Sequence, residues 1–268
     1  MSEAAIAATR PDAVAIEKHG AVTALRLAQP EKMNALSRDI AAGLSAGVDS
    51  FFADAAARAL VITGTDKAFC AGGDVRTMTG EKKPLATRGR LHDAHRWVRQ
   101  LLEGEKPVIT AVNGAAVGAG LSLALMGDVV IAAEDAYFAA GFPGVGVVPD
   151  LSVIYTLPRA IGFPRAKDLL FSNRRVPAKE ALEMGLVSRV VPTAALRDEA
   201  LKLAGRIASG PSVSFGLTKT LMRRAFETSL DGFLELEALA QATNFTTGDF
   251  AEGVAAFLAK RKPEFKGT

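Results

Sequence analysis

From Val108 to Gly127 the chain runs for twenty residues without a charge, the length of a membrane-spanning helix. Its contents argue against that reading. The stretch holds Asn113, Ser122 and four glycines, Gly114, Gly118, Gly120 and Gly127. Its first five residues, Val108-Ile109-Thr110-Ala111-Val112, read as a buried strand entering a tight turn. A strand, a glycine turn and a helix inside a soluble core account for it better.

The flanking sequence repeats this pattern. Ala13 to Glu17 and Ala21 to Leu27 flank His19-Gly20 and predict a hairpin. Ser37 is placed to cap a helix whose apolar positions Ile40, Leu44, Val48 and Phe51 recur at three- and four-residue steps. The strand Ala59 to Thr63 follows, then a loop from Gly64 to Gly73, a helix near Leu91 to Leu102, the charge-free unit, and the strand Val129-Val130-Ile131. After Pro177 come a short helix ending at Gly185, a strand from Leu186 to Val191, and helical patterning to the end. No Gly/Ser-rich linker interrupts the chain. We expect an α/β core over residues 1–192 and a helical C-terminal subdomain over 193–268.

At 268 residues, 49% hydrophobic and 23% charged, the chain has the composition of a folded globular protein. The formal charge of +3 comes from scattered basic residues, so a nucleic-acid partner is not expected. The single cysteine, Cys70, allows no intramolecular disulfide and fits a cytoplasmic location. Met1 to Ala15 is too charged for a signal peptide, so export is not expected. His92 and His95 lie three apart on a helix, but no third residue stands at metal-ligand spacing, so both are read as surface or loop residues and no metal is expected. Cys70 has no histidine near it in sequence to activate it as a nucleophile. Trp97 and Phe163 are read as core or pocket wall.

Two segments can carry chemistry. Gly114 to Gly120 lies between a strand and a helix but matches neither the dinucleotide nor the P-loop spacing. A glycine turn opening a helix leaves N–H groups unpaired at the positive end of the helix dipole, where an oxyanion binds; close packing of strand and helix explains the same glycines. Lys67 to Arg76 likewise leaves a strand through Gly72-Gly73. Converging on one oxygen, these two loops would stabilise an enolate or a tetrahedral oxyanion.

The chain resembles the enoyl-CoA hydratase/isomerase, or crotonase, superfamily over nearly its whole length. The resemblance rests on Met33-Asn34-Ala35-Leu36, Ala68-Phe69-Cys70-Ala71-Gly72-Gly73-Asp74, Lys106 to Gly114, Gly118-Ala119-Gly120, Asp128, and Phe257-Leu258-Ala259-Lys260-Arg261-Lys262-Pro263. It implies a spiral of β-β-α units, acyl-CoA thioester substrates, and homotrimers or dimers of trimers joined by the C-terminal helices. No separate cofactor is implied, because coenzyme A is part of the substrate. The resemblance also implies an oxyanion hole made by the N–H groups of Gly73 and Ala119. Coenzyme A contacts are implied at Lys32, Ala35, Ala71, Asp74, Val75 and Arg76, and at Phe257 and Lys260 of a neighbouring subunit.

Hydratases of this superfamily use two glutamates, which fall here on Ser122 and Phe142. Neither can act as a carboxylate, which argues against efficient hydration. Asp150 matches instead the carboxylate position of the isomerase branch, within apolar surroundings that favour a raised pKa; by local sequence alone it would cap a helix starting at Leu151. The implied activity is a double-bond shift from 3-enoyl-CoA to 2-enoyl-CoA with Asp150 as base. The alternatives are a hydratase or other CoA-thioester lyase, a dehalogenase with Asp150 as nucleophile, and a catalytically weak acyl-CoA-binding protein. The segment from Arg76 to Arg90 is expected to set substrate size.

Overall fold

The computed structural model describes residues 12–79 and 83–268. The N-terminal stretch read above as no export signal therefore lies outside the described residues as far as Pro11, as do residues 80–82 of the expected size-setting segment. The expected hairpin forms from β1 (Val14–His19) and β2 (Val22–Leu27), paired antiparallel from Val14 opposite Leu27 to His19 opposite Val22. Ser37 caps α1 (Arg38–Ala53), its Oγ accepting from the Ile40 N–H at 3.3 Å. The periodic residues Ile40, Leu44, Val48 and Phe51 are fully buried.

The chain then builds three similar turns of a spiral, each giving one strand to each of two sheets. The pairs are β3 (Ala59–Thr63) with β4 (Ala68–Cys70), β5 (Val108–Val112) with β6 (Ala115–Val117), and β7 (Val129–Ala133) with β8 (Tyr137–Ala139). The first and second pairs are followed by α2 (Pro84–Glu103) and α3 (Ala119–Ala124). After the third come α4 (Val153–Ile161), α5 (Phe163–Ser172), β9 (Val176–Pro177), α6 (Ala178–Glu183) and β10 (Arg189–Val191). The larger sheet has the order β1-β2-β3-β5-β7-β10 and the smaller β4-β6-β8-β9. Only β1 with β2 and β8 with β9 are antiparallel. This is the α/β spiral of β-β-α units.

Strands of three residues are too short to show a period. So the loop expected from Gly64 to Gly73 contains β4, and the glycine turn of the charge-free stretch contains β6. Likewise β10 covers only the last three residues of the strand expected from Leu186. The α2 helix begins seven residues earlier than its apolar stripe suggested, at Pro84, because its first turns are exposed.

The chain passes from one sheet to the other through corners with no room for a side chain. A Cβ on Gly64 would lie 2.3 Å from the Ala68 carbonyl oxygen, and one on Gly114 would lie 2.2 Å from that of Lys67. Two asparagines hold these corners. Asn113 accepts from the Gly64 N–H at 2.9 Å and donates to the Ala68 carbonyl at 3.2 Å. Asn34, fully buried in the left-handed region with φ 52°, accepts from the Gln29 N–H at 2.9 Å and donates to the Ala68 carbonyl at 2.7 Å. Asn34→Ala leaves buried backbone groups unpaired, and a loss of about 1–3 kcal/mol in chemical denaturation is expected; an unchanged midpoint would show that the corner holds without it.

The C-terminal region is helical: α7 (Leu196–Ala208), α8 (Ser212–Arg224), α9 (Leu230–Asn244) and α10 (Gly248–Leu258). The α7 helix packs on the larger sheet against β3 and β5, burying Leu196, Ala200, Leu203 and Ala204. By contrast, α9 buries no residue fully and exposes Leu230, Leu234 and Leu239. The tail returns to α10, where the buried Asp249 carboxylate accepts the N–H groups of Lys266 and Gly267 at 2.7 and 2.9 Å. No helix of the described residues is long and apolar enough to cross a membrane.

Candidate active site

Parallel pairing decides where the site lies. Because β4, β6 and β8 run side by side in one direction, the segments that leave their C-terminal ends emerge together, the place where open α/β sheets bind ligands. They are Ala71 to Gly73, Gly118-Ala119, and Gly141-Phe142, and all of them line one cavity of about 630 Å³. The remaining walls come from α1 (Arg38, Ala41, Ala42, Ser45), from α2 (Arg90 to Ala94, Arg96, Trp97), and from the segment carrying Val145, Val147, Asp150 and Leu151.

The two glycine loops converge at backbone distance. Gly72 takes φ +102°, and a Cβ there would sit 2.9 Å from the Val117 carbonyl oxygen and 3.8 Å from the Ala119 nitrogen. A Cβ on Gly120 would lie 1.9 Å from the Cys70 carbonyl oxygen. Only glycine lets the start of α3 come this close to the end of β4. Met33 and Leu36 anchor the first loop from the other side: the Ala71 N–H donates to the Met33 carbonyl at 3.0 Å, and the Leu36 N–H donates to the Gly72 carbonyl at 2.7 Å. The N–H of Gly73 and that of Ala119, the first residue of α3, have no acceptor among the described residues. Two fixed donors, one at a helix N-terminus, thus face one cavity.

Asp150 lies on the same cavity, half-buried. It does not cap a helix. The Leu151 and Ser152 that follow it both take the left-handed conformation, with φ 50° and 71°, and α4 begins only at Val153. Two consecutive non-glycine residues in that region carry strain. The Ser152 hydroxyl is moreover buried without a hydrogen-bond partner among the described residues. Ser122 supplies part of the compensation: its Oγ, fully buried on α3, donates to the Asp150 carbonyl at 2.9 Å. The strained turn frees the carboxylate for the cavity, where burial raises its pKa above the usual carboxylate range. Positive charge at His95 and Arg90 opposes that rise.

Ala71, Gly73, Asp74, Val75, Ala119 and Asp150 all line the cavity. Lys32 and Ala35 do not, but their segment packs on the first loop through the Met33 and Leu36 bonds. The Arg76 side chain is exposed, its Nε donating to Asp74 Oδ1 at 3.1 Å. Phe257, in the last turn of α10, and Lys260, just beyond it, are also off the cavity, and Phe257 is 84% exposed. Phe142 is buried in the cavity wall and offers no carboxylate. Burial pushes the Cys70 thiol up to about 11, so it holds its proton at neutral pH. Trp97 is buried as core and cavity wall. Phe163, expected to be core or wall, is instead 68% exposed at the first position of α5, whose buried residues Ala166 and Leu169 lie further along the helix. No three His, Cys, Asp or Glu side chains come together as metal ligands among the described residues. His92 is exposed as expected, but the surface it occupies is the cavity wall, and His95 is half-buried rather than exposed. A helix face turned to a cleft and one turned to solvent look alike in sequence.

Residues 17–268 match the family model described as enoyl-CoA hydratase/isomerase. A 1,2-epoxyphenylacetyl-CoA isomerase of Escherichia coli (strain K12) is 38% identical over 251 residues, covering 92% of this chain and 95% of that protein. A crotonyl-CoA hydratase of Syntrophomonas wolfei is 36% identical over 258 residues, covering 94% and 97%. Among solved structures, the crystal structure of an enoyl-CoA hydratase from Bacillus anthracis superposes with a TM-score of 0.90 at 31% identity, covering 96% of this chain and all of that one.

Proposed function

Because the chain belongs to the enoyl-CoA hydratase/isomerase family, as an enzyme of crotonase fold, we propose that it acts on acyl-CoA thioesters and moves a double bond from the 3,4- to the 2,3-position. The observation that carries this reading is the half-buried Asp150 carboxylate on the cavity beside two free N–H donors, with Phe142 in the cavity wall and the buried Ser122 standing where the hydratase glutamates fall. The thioester oxygen sits between the N–H groups of Gly73 and Ala119. Asp150 takes the proton from C2, negative charge moves onto that oxygen, and a proton returns at C4. Donors placed in advance stabilise the dienolate more than the substrate, so they lower the barrier rather than merely tightening binding.

Hydration is the second reading, favoured by the relative named as a crotonyl-CoA hydratase. Adding water needs one group to activate it and another to deliver a proton. Product analysis by proton magnetic resonance separates the two: 3-hexenoyl-CoA is expected to yield 2-hexenoyl-CoA, and accumulation of 3-hydroxyhexanoyl-CoA would overturn the isomerase reading. The pH dependence has a defined sign. Asp150 acts as base only when ionised, so kcat/KM is expected to fall as pH drops through its raised pKa, above the ordinary carboxylate range.

The coenzyme A moiety runs over the first loop, past Lys32, Ala35, Ala71, Asp74, Val75 and Arg76. The exposed apolar residues of α8, α9 and α10 are proposed to pair copies of the chain as trimers or dimers of trimers, bringing Phe257 and Lys260 of one copy to the site of another. Phe257→Ala is then expected to raise KM about tenfold with little change in kcat, as lost uniform binding does. Equal loss in both constants would contradict that placement.

A further inference from the structure

The α2 helix brings one imidazole, His92, to the cavity wall, with a second, His95, one turn on; of the carboxylates on that cavity, Asp74 is tied to Arg76, Asp93 is exposed on α2 itself, and Asp150 is half-buried. His92 lines the cavity that holds Asp150, Gly73 and Ala119. His95, half-buried one turn on, has its ring centre 5.9 Å from that of His92. His95 and Arg90 are the charged groups that act on the Asp150 carboxyl against the effect of its burial. The pair also has few rival partners: Arg96, beside it on α2, is engaged with Ser45 and Asp49 of α1, and no hydrogen bond or ion pair of either imidazole is found among the described residues. Trp97 and Val98 are buried beneath the helix and fix its position over the cavity.

We propose that the His92–His95 pair is the second proton-handling group of this site, delivering to C4 the proton that completes the shift begun by Asp150. The proposal rests on the isomerase reading and deepens it. In the first step the C2–H bond breaks, its proton passes to Asp150, and its electron pair enters the dienolate. In the second, the dienolate pair forms a C4–H bond with a proton from imidazolium. Asp150 then releases its proton to water and the imidazole takes one up, so the cycle closes with no net gain or loss. Two groups suit this reaction because the proton leaves and arrives at carbons two bonds apart, and a rigid carboxylate on a strained turn is poorly placed to serve both.

The two steps are read separately in deuterium oxide. Deuterium gained at C2 of recovered 3-hexenoyl-CoA reports the Asp150 step, and 2-hexenoyl-CoA formed reports the whole reaction. His92→Gln with His95→Gln is expected to keep C2 exchange within about twofold while isomerisation falls about 10²-fold, the size of a lost general acid. Each single variant, at a position the fold does not need buried, is expected to fall between. Exchange and isomerisation falling together, or neither falling, would overturn the proposal. Asp150→Asn is the control for the underlying reading: it is expected to abolish both signals, and exchange surviving in that variant would refute Asp150 as base whatever the histidine variants show.

Discussion

Asp150→Asn is expected to lower kcat for conjugation of a 3-enoyl-CoA by ~10³-fold or more, within the range for loss of a positioned base, while the folded protein becomes more stable. The two effects share a cause. Burial raises the Asp150 pKa in the folded state, so ionising this carboxyl works against folding. Its contribution is most favourable below the unfolded-state pKa and is lost as pH rises through the raised folded-state value. At neutral pH the asparagine removes that cost and keeps the shape of the site. A higher Tm with unchanged affinity for a saturated acyl-CoA, and no detectable conjugation in the ultraviolet, is the expected outcome. A variant that stays active would move the chemistry elsewhere. One that loses both activity and stability would make Asp150 a structural residue.

Gly120→Ala is expected to cost about 10²–10³ in kcat, the size of a lost oxyanion donor, and to destabilise the fold by about 1–3 kcal/mol. A methyl group at this position meets the Cys70 carbonyl oxygen at 1.9 Å and the Cys70 side chain at 3.0 Å. Backbone cannot swing aside as a flexible side chain can, so the start of α3 must move away from β4, carrying the Ala119 N–H out of line with that of Gly73. Gly205→Ala on α7 is the matching control: nothing lies within 4 Å of a Cβ there, and a gain of up to about 1 kcal/mol is expected from helix propensity. Wild-type activity in Gly120→Ala would show that the two loops do not form one hole.

Much of this organisation was legible in the chain. The hairpin, the Ser37 cap, the strands Ala59–Thr63 and Val108–Val112, and the glycine turn opening a helix follow from local periodicity and capping chemistry, which the folded state keeps. The three-residue strands β4, β6 and β8 were not legible, because they exist only by pairing with one another across long intervening stretches of chain, from Cys70 to Ala115 and from Val117 to Tyr137. Yet they bring the two loops together. Convergence of Gly72 with Ala119 is thus a tertiary fact that neither loop encodes alone. The same holds for Asp150. Its local sequence reads as a helix cap, and only the left-handed turn at Leu151 and Ser152, held by Ser122 from α3, turns it into a cavity carboxylate. Ser122 is the instructive position: read as the loss of a glutamate, it has a positive role in anchoring the residue proposed as base.

The most direct test of the central claim is to measure kcat/KM of the wild-type protein on 3-hexenoyl-CoA and on crotonyl-CoA in parallel, following gain or loss of the conjugated thioester in the ultraviolet. Proton transfer through Asp150 predicts rapid conjugation of the first and slow hydration of the second. Hydration of crotonyl-CoA that outpaces conjugation, and that survives Asp150→Asn, would contradict it and show that water is activated by another group.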